Sequence, residues 1–68
     1  MREKVSVQYD MIIKLAKIRA FINDTMQAVM NENDSIISNN IETISEYLDS
    51  LVNDNDDLSY ILIQEAKA

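Results

Sequence analysis

"SIISNNIETISEYLDSLV", residues 35 to 52, carries the pattern that decides the fold. Its apolar residues are separated by four, three, four and three positions: Ile37, Ile41, Ile44, Leu48 and Leu51. This spacing is typical of a narrow apolar stripe along an α-helix that packs on another helix. The stretch therefore predicts a helix over residues 35–52 that needs a partner.

A matching pattern precedes this stretch and predicts a first helix over residues 6–30. The apolar residues that follow the same spacing there are Met11, Leu15, Ile18, Ile22, Met26 and Val29. A short link over residues 31–34 would fold the two helices into a hairpin, and both sets would be buried in its seam and against a second copy of the chain. Apolar residues also spread around much of the first helix, so we expect it to need more than one neighbour.

The ends of the helices must be read from asparagine and aspartate, because the chain contains neither glycine nor proline. Two clusters of these residues, "NENDS" at 31–35 and "NDNDD" at 53–57, predict turns. A third, short helix is then expected over residues 56–66. The predicted fold is all-α, one small domain spanning residues 1–68 that consists of a helical hairpin and a short third helix.

The small size of the chain favours self-association. A chain of 68 residues buries only a modest core, and without cysteine or histidine it lacks a disulfide and the usual zinc ligands. We therefore expect two hairpins to pair as a homodimer that resembles a four-helix bundle.

The net charge of −6 disfavours binding to nucleic acid, which requires lysine and arginine against the phosphates. The charge is unevenly distributed, with +2 on residues 1–30 and −8 on residues 31–68. Charged residues also interrupt the apolar N-terminal stretch, so neither a signal sequence nor a membrane span is predicted. We expect a cytoplasmic protein that does not bind membranes.

No catalytic, cofactor or metal site is expected. The absence of histidine removes the common hydrolytic triads, and the absence of glycine removes the phosphate-binding loops. The stretch "NENDSIISNNIE", residues 31–42, has oxygen ligands at some positions of a calcium-binding loop, but Ile36 stands where that loop needs glycine. We interpret it as a capped turn.

Two features are candidates for binding a partner. The first is a group of acidic residues in the second half of the chain: Glu42, Glu46, Asp49, Asp54, Asp56 and Asp57. Such a group is most often a solvated face, but it also suits a partner with a basic surface. The second is Phe21, a large ring among charged neighbours, which is a candidate interface anchor.

One local pattern points to a different fold. In "KVSVQYD", residues 4–10, apolar and polar residues alternate as they do in a strand. A short strand over residues 4–9 followed by two helices would be a ribbon-helix-helix arrangement, which binds DNA as a dimer. The long following helix and the acidic second half of the chain disfavour it.

These observations favour a non-enzymatic interaction or regulatory protein that binds another protein through its helix faces. The first alternative is an acidic inhibitor of phage type, whose carboxylates imitate nucleic acid and block a basic groove on a host or defence protein. The second alternative is the DNA-binding ribbon-helix-helix regulator. An enzyme is the least favoured class.

Overall fold

The computed structural model describes residues 2–68 and shows a hairpin of two long helices. Helix α1 spans Lys4–Met30 and helix α2 spans Asp34–Lys67. The helices run antiparallel, since Lys4 contacts Glu65 near one end of the hairpin and Asp24 contacts Asn40 near the other. The molecule measures 54 × 15 × 14 Å, and the prediction of an all-α fold is confirmed.

The seam between the helices repeats every three and four residues along both helices. Its residues, all buried or half-buried, are Lys4, Val7, Met11, Lys14, Ile18, Phe21, Thr25 and Ala28 in α1, and Ile37, Asn40, Ile44, Tyr47, Leu51, Asp54, Leu58 and Ile61 in α2. This is the repeat of a coiled coil, in which positions a and d face the partner helix. Lys4 is the first a position of α1 and Ile37 that of α2. Val7 and Asn40 are the first d positions of the same two helices.

The turn between the helices is built from backbone hydrogen bonds. Asn33 N–H donates to the Ala28 carbonyl (2.8 Å) and Glu32 N–H donates to the Val29 carbonyl (3.1 Å), the arrangement of a Schellman motif. Glu32 has the left-handed φ of 54° that this motif requires and that glycine adopts most easily. The Asn33 side chain then accepts from Ile36 N–H (3.2 Å) and caps the start of α2.

The prediction of a break at residues 53–57 and of a separate third helix is wrong, because α2 continues through this cluster to Lys67. The seam continues through the cluster, with Leu51 before it and Leu58 and Ile61 after it. Asp54 points into the seam and accepts a hydrogen bond from Lys14 of α1, so it does not cap a new helix. Tertiary contacts therefore override the local preference of asparagine and aspartate for turns.

The alternating pattern over residues 4–9 does not form a strand. These residues are the first turns of α1, and no strand occurs in residues 2–68. Val7, which the strand pattern would pair with Val5 and Tyr9, is fully buried in the seam, whereas Val5 and Tyr9 are exposed. The helical repeat thus decides the structure, and residues 4–9 do not supply the strand that a ribbon-helix-helix fold requires.

Candidate interaction surface

The interior of the hairpin is unusually polar for a seam between two helices. Of the residues that face the partner helix, only Val7, Ile18, Ala28 and Ile61 are apolar and buried. Lysine, threonine, asparagine and aspartate occupy other seam positions. The seam therefore supplies limited apolar burial, which is the main favourable contribution to folding.

Asp54 is the centre of the polar part of the seam, with an exposure of only 2%. Its carboxylate accepts from Lys14 Nζ at 2.6 Å and from Arg2 Nη2 at 2.5 Å. Burial raises the pKa of Asp54, but the hydrogen bonds from the two cations outweigh it, so the pKa lies below its ordinary value. Asp54 is therefore an ionised internal anchor between the helices.

Arg2 extends this anchor to the surface. Besides Asp54 it donates to Asp57 at 2.8 and 3.1 Å and to Asp10 at 3.0 Å. The hydrogen bonds to Asp54 and Asp57 raise the pKa of Arg2 above its ordinary value. Arg2, which precedes α1, is in this way attached to the second half of α2.

Toward the turn, the seam contains a second polar contact and an aromatic pair. The Asn40 amide donates to Asp24 at 2.8 Å. The rings of Phe21 and Tyr47 lie with their centroids 6.1 Å apart, and Lys17 Nζ lies 5.7 Å from the Tyr47 centroid. Phe21, a candidate interface anchor by sequence, is thus half-buried inside the hairpin.

One long side of the hairpin is apolar and exposed, and we call it the apolar side. It consists of Val5, Ile12, Leu15, Ile22, Met26 and Val29 of α1, and Ile41, Leu48, Val52 and Leu62 of α2. Each of these side chains is at least 44% exposed, the value for Ile22. Isolated exposed apolar residues are ordinary, but a contiguous set of this length usually marks an interaction surface.

The repeat explains why both helices contribute to the same side. Leu15, Ile22 and Val29 each follow a d position of α1, as Ile41, Leu48 and Leu62 do in α2. In an antiparallel pair of helices, these e positions flank the same edge of the seam. The opposite edge carries half-buried polar residues, among them Asp10, Thr43 and Ser50.

The structure divides the residues that were predicted to form the seam. Ile37, Ile44 and Leu51 of α2 face α1, as Met11 and Ile18 of α1 face α2. The remaining predicted seam residues lie on the apolar side: Leu15, Ile22, Met26, Val29, Ile41 and Leu48.

The sequence of each helix contains two overlapping sets of residues, those of the seam and those of the apolar side. The prediction followed the most apolar residues and therefore combined members of both sets. The actual seam includes Lys14, Asn40 and Asp54, which a search for apolar residues passes over. The regular spacing from Leu51 through Asp54 to Leu58 and Ile61 is the signal that could have placed Asp54 in the seam.

The acidic residues that were predicted to bind a partner fall into two groups. Asp54 is buried and Asp57 contacts Arg2, so both serve the fold. Glu42, Glu46, Asp49 and Asp56 are exposed, and none has an ion pair within residues 2–68. Glu42, Asp49 and Asp56 share heptad position f, which borders the apolar side along α2. We call these three residues the acidic edge.

The described part of the chain holds no group of three or more residues arranged to bind a metal ion. Within the same residues, neither helix combines the length and the apolar character that a membrane crossing demands. No family model, curated protein or solved structure matches this chain.

Proposed function

We propose that this chain is a non-enzymatic interaction protein that binds a protein partner through its apolar side. The observation that carries the proposal is the contrast between the two packing surfaces of each helix. The seam inside the hairpin contains charged and amide side chains, while the apolar side is exposed.

The energetics of burial support this proposal. Complete burial of a large aliphatic side chain contributes about 1.5–3 kcal/mol, so covering a half-exposed one contributes about 1 kcal/mol. The apolar side offers ten such residues along the hairpin. A helical partner that lies along the hairpin would cover them together, in the manner of helix-in-groove recognition.

Site-specific photo-cross-linking in the cells that produce this chain tests the proposal. A photoreactive amino acid replaces Leu48 on the apolar side, and the matched control carries it at Asn53, which is exposed at a c position of the same helix. We expect discrete cross-linked protein species from position 48 and none from position 53. Equal labelling from the two positions, or none from position 48, would rule out the apolar side as the binding surface.

A second candidate function is inhibition of a protein with a basic surface. The observation that favours it is the row formed by Glu42, Glu46, Asp49 and Asp56, exposed carboxylates without ion pairs in the described residues. Such a row attracts cationic grooves in a manner that salt screens.

Reversal of Glu42, Glu46 and Asp49 to lysine tests this second function. We expect the triple variant to lose binding to any basic protein that the wild-type chain captures, and the wild-type affinity to fall as salt rises. Unchanged affinity in the triple variant would leave this row as a solvated face.

A further inference from the structure

We infer that the partner on the apolar side is a second copy of this chain, with α1 of each copy packed against α2 of the other in a four-helix bundle. This inference rests on the proposed function and names its partner. Three features of the hairpin support it: its exposed area, its charges and the position of those charges along its length.

The exposed area of one hairpin exceeds that of an ordinary folded chain. Its accessible surface is 5172 Å² for a mass of 7.8 kDa. Folded monomers of this mass expose about 4400 Å² by the usual scaling of surface with mass. The excess of roughly 800 Å² equals the area that one partner contributes to a stable interface of standard size.

The charges around the apolar side favour contact between unlike helices. The apolar side of α1 and its border carry no acidic residue and one basic residue, Arg19, which is exposed at a b position and forms no ion pair within residues 2–68. The corresponding surface of α2 carries the acidic edge and no basic residue. Packing α2 against α2 would bring acids together, whereas packing α1 against α2 pairs Arg19 with the acidic edge.

The position of Arg19 along the hairpin suits such pairing. Within one hairpin, Lys17 lies beside Tyr47. Because Phe21 also lies against Tyr47, Arg19 stands at the height of Tyr47. The two-fold axis that packs α1 of one copy against α2 of the other runs parallel to the helices and keeps every residue at its height, so Arg19 of one copy comes close to Asp49 of the other.

The molar mass in solution tests the dimer directly. Light scattering behind a sizing column, from low to high micromolar concentration, is expected to give twice the 7.8 kDa chain mass. The mass of a single chain across the whole range would overturn the inference.

Two exposed residues of α2 provide a matched pair of variants. Leu48 and Tyr60 are both 49% exposed, but Leu48 lies on the apolar side and Tyr60 at a c position away from it. We expect Leu48→Asp to give a helical monomer and Tyr60→Asp to remain a dimer. A dimer in both variants would place the interface elsewhere.

A charge exchange tests the arrangement of helices without a buried substitution. Arg19→Glu and Asp49→Arg are each expected to raise the dimer Kd by roughly tenfold, and the double variant to return it to within about threefold of the wild-type value. Independent effects that simply add in the double variant would overturn the pairing of α1 with α2.

The cross-linking experiment separates failure of this inference from failure of the proposed function. A monomer in solution whose position 48 cross-links to a different protein would end the inference and leave the function intact. A monomer without cross-links would end both.

Discussion

Asp54 keeps its charge in the interior of the hairpin because two cations reach it from the other side of the seam. Lys14 and Arg2 supply hydrogen bonds that replace the water which burial removes. Removing one member of such a cluster leaves the remaining charges without their partner. The energetic role of Asp54 thus depends on geometry that only the folded chain provides.

We predict that Asp54→Asn lowers the free energy of unfolding at pH 7 by about 2 kcal/mol, which is below the loss for a fully buried pair because Lys14 and Arg2 retain contact with water. Urea denaturation followed by circular dichroism measures the change. Asp56→Asn is the matched control, since Asp56 is exposed, and it should change stability by less than about 0.5 kcal/mol. Equal losses in the two variants would contradict the anchoring role of Asp54.

The pKa of Asp54 predicts how this difference varies with pH. A carboxyl group whose folded-state pKa is lowered stabilises the fold fully above its unfolded pKa of about 3.9, and this stabilisation is lost as the pH falls through the folded pKa. The gap between wild type and Asp54→Asn should therefore stay constant from pH 7 to about 5 and shrink below about 4. A gap that is unchanged at pH 3 would show that ionisation is irrelevant.

The sequence alone did not reveal this role. Asp54 stands in a run of asparagine and aspartate, and such a run ordinarily indicates a solvated turn. Its placement depends on Lys14, which is forty residues away in the chain, and on Arg2. Contacts at that separation leave no local trace in composition.

At the scale of elements, the continuity of α2 depends on packing against α1. The cluster at residues 53–57 consists of poor helix formers, yet the seam residues on either side of it keep their spacing. The predicted first helix and the start of the second were close to the observed ones, because apolar periodicity and an Asn-Asp-Ser capping stretch are local signals. The predicted end of the second helix was far from the observed one, because this end depends on tertiary contacts with α1.

We predict that Asn53→Pro severely destabilises the protein, by about 3 kcal/mol or more, because proline removes a helical hydrogen bond and clashes with the preceding turn. Asn53→Ala is the control and should raise stability by a few tenths of a kcal/mol, since alanine is the better helix former. Thermal unfolding followed by circular dichroism compares the two. Tolerance of proline at this position would mean that α2 is interrupted there.

The turn offers a stabilising substitution. Glu32 holds a positive φ at the position where helices most often have glycine. We predict that Glu32→Gly raises the free energy of unfolding by about 0.5–1 kcal/mol, since glycine adopts this conformation without steric cost. Glu32→Ala keeps the steric cost and should bring no such gain; a gain from both variants would point to the removed charge instead.

At the scale of the whole molecule, the sequence indicated helices with more apolar residues than one hairpin seam can bury. It did not indicate correctly which of these residues lie outside the seam. Residues such as Ile41 and Leu48 were assigned to the same stripe as Ile37 and Ile44, but the helical repeat separates them onto two surfaces. The chain has enough apolar residues for two interfaces on each helix. Only the structure shows which of them is used within the hairpin.

We predict that the thermal midpoint of unfolding depends on protein concentration, because unfolding of a dimer releases two chains. For a dimer of this size, each tenfold increase in concentration should raise Tm by roughly 5 °C. Differential scanning calorimetry at two concentrations measures the shift. The Leu48→Asp variant should show no shift, and a wild-type Tm that is independent of concentration would contradict the dimer.

The antiparallel seam has a consequence for the topology of the chain. Residues of α1 and α2 that contact each other across it keep a nearly constant sum of residue numbers, from 64 for Asp24 and Asn40 to 69 for Lys4 and Glu65, and this relation is symmetric about the turn. Two straightened chains lying head to tail would satisfy the same contacts, as in domain swapping. The three residues of the turn, and not the long seam, therefore decide whether the helices pair within one chain or exchange between two.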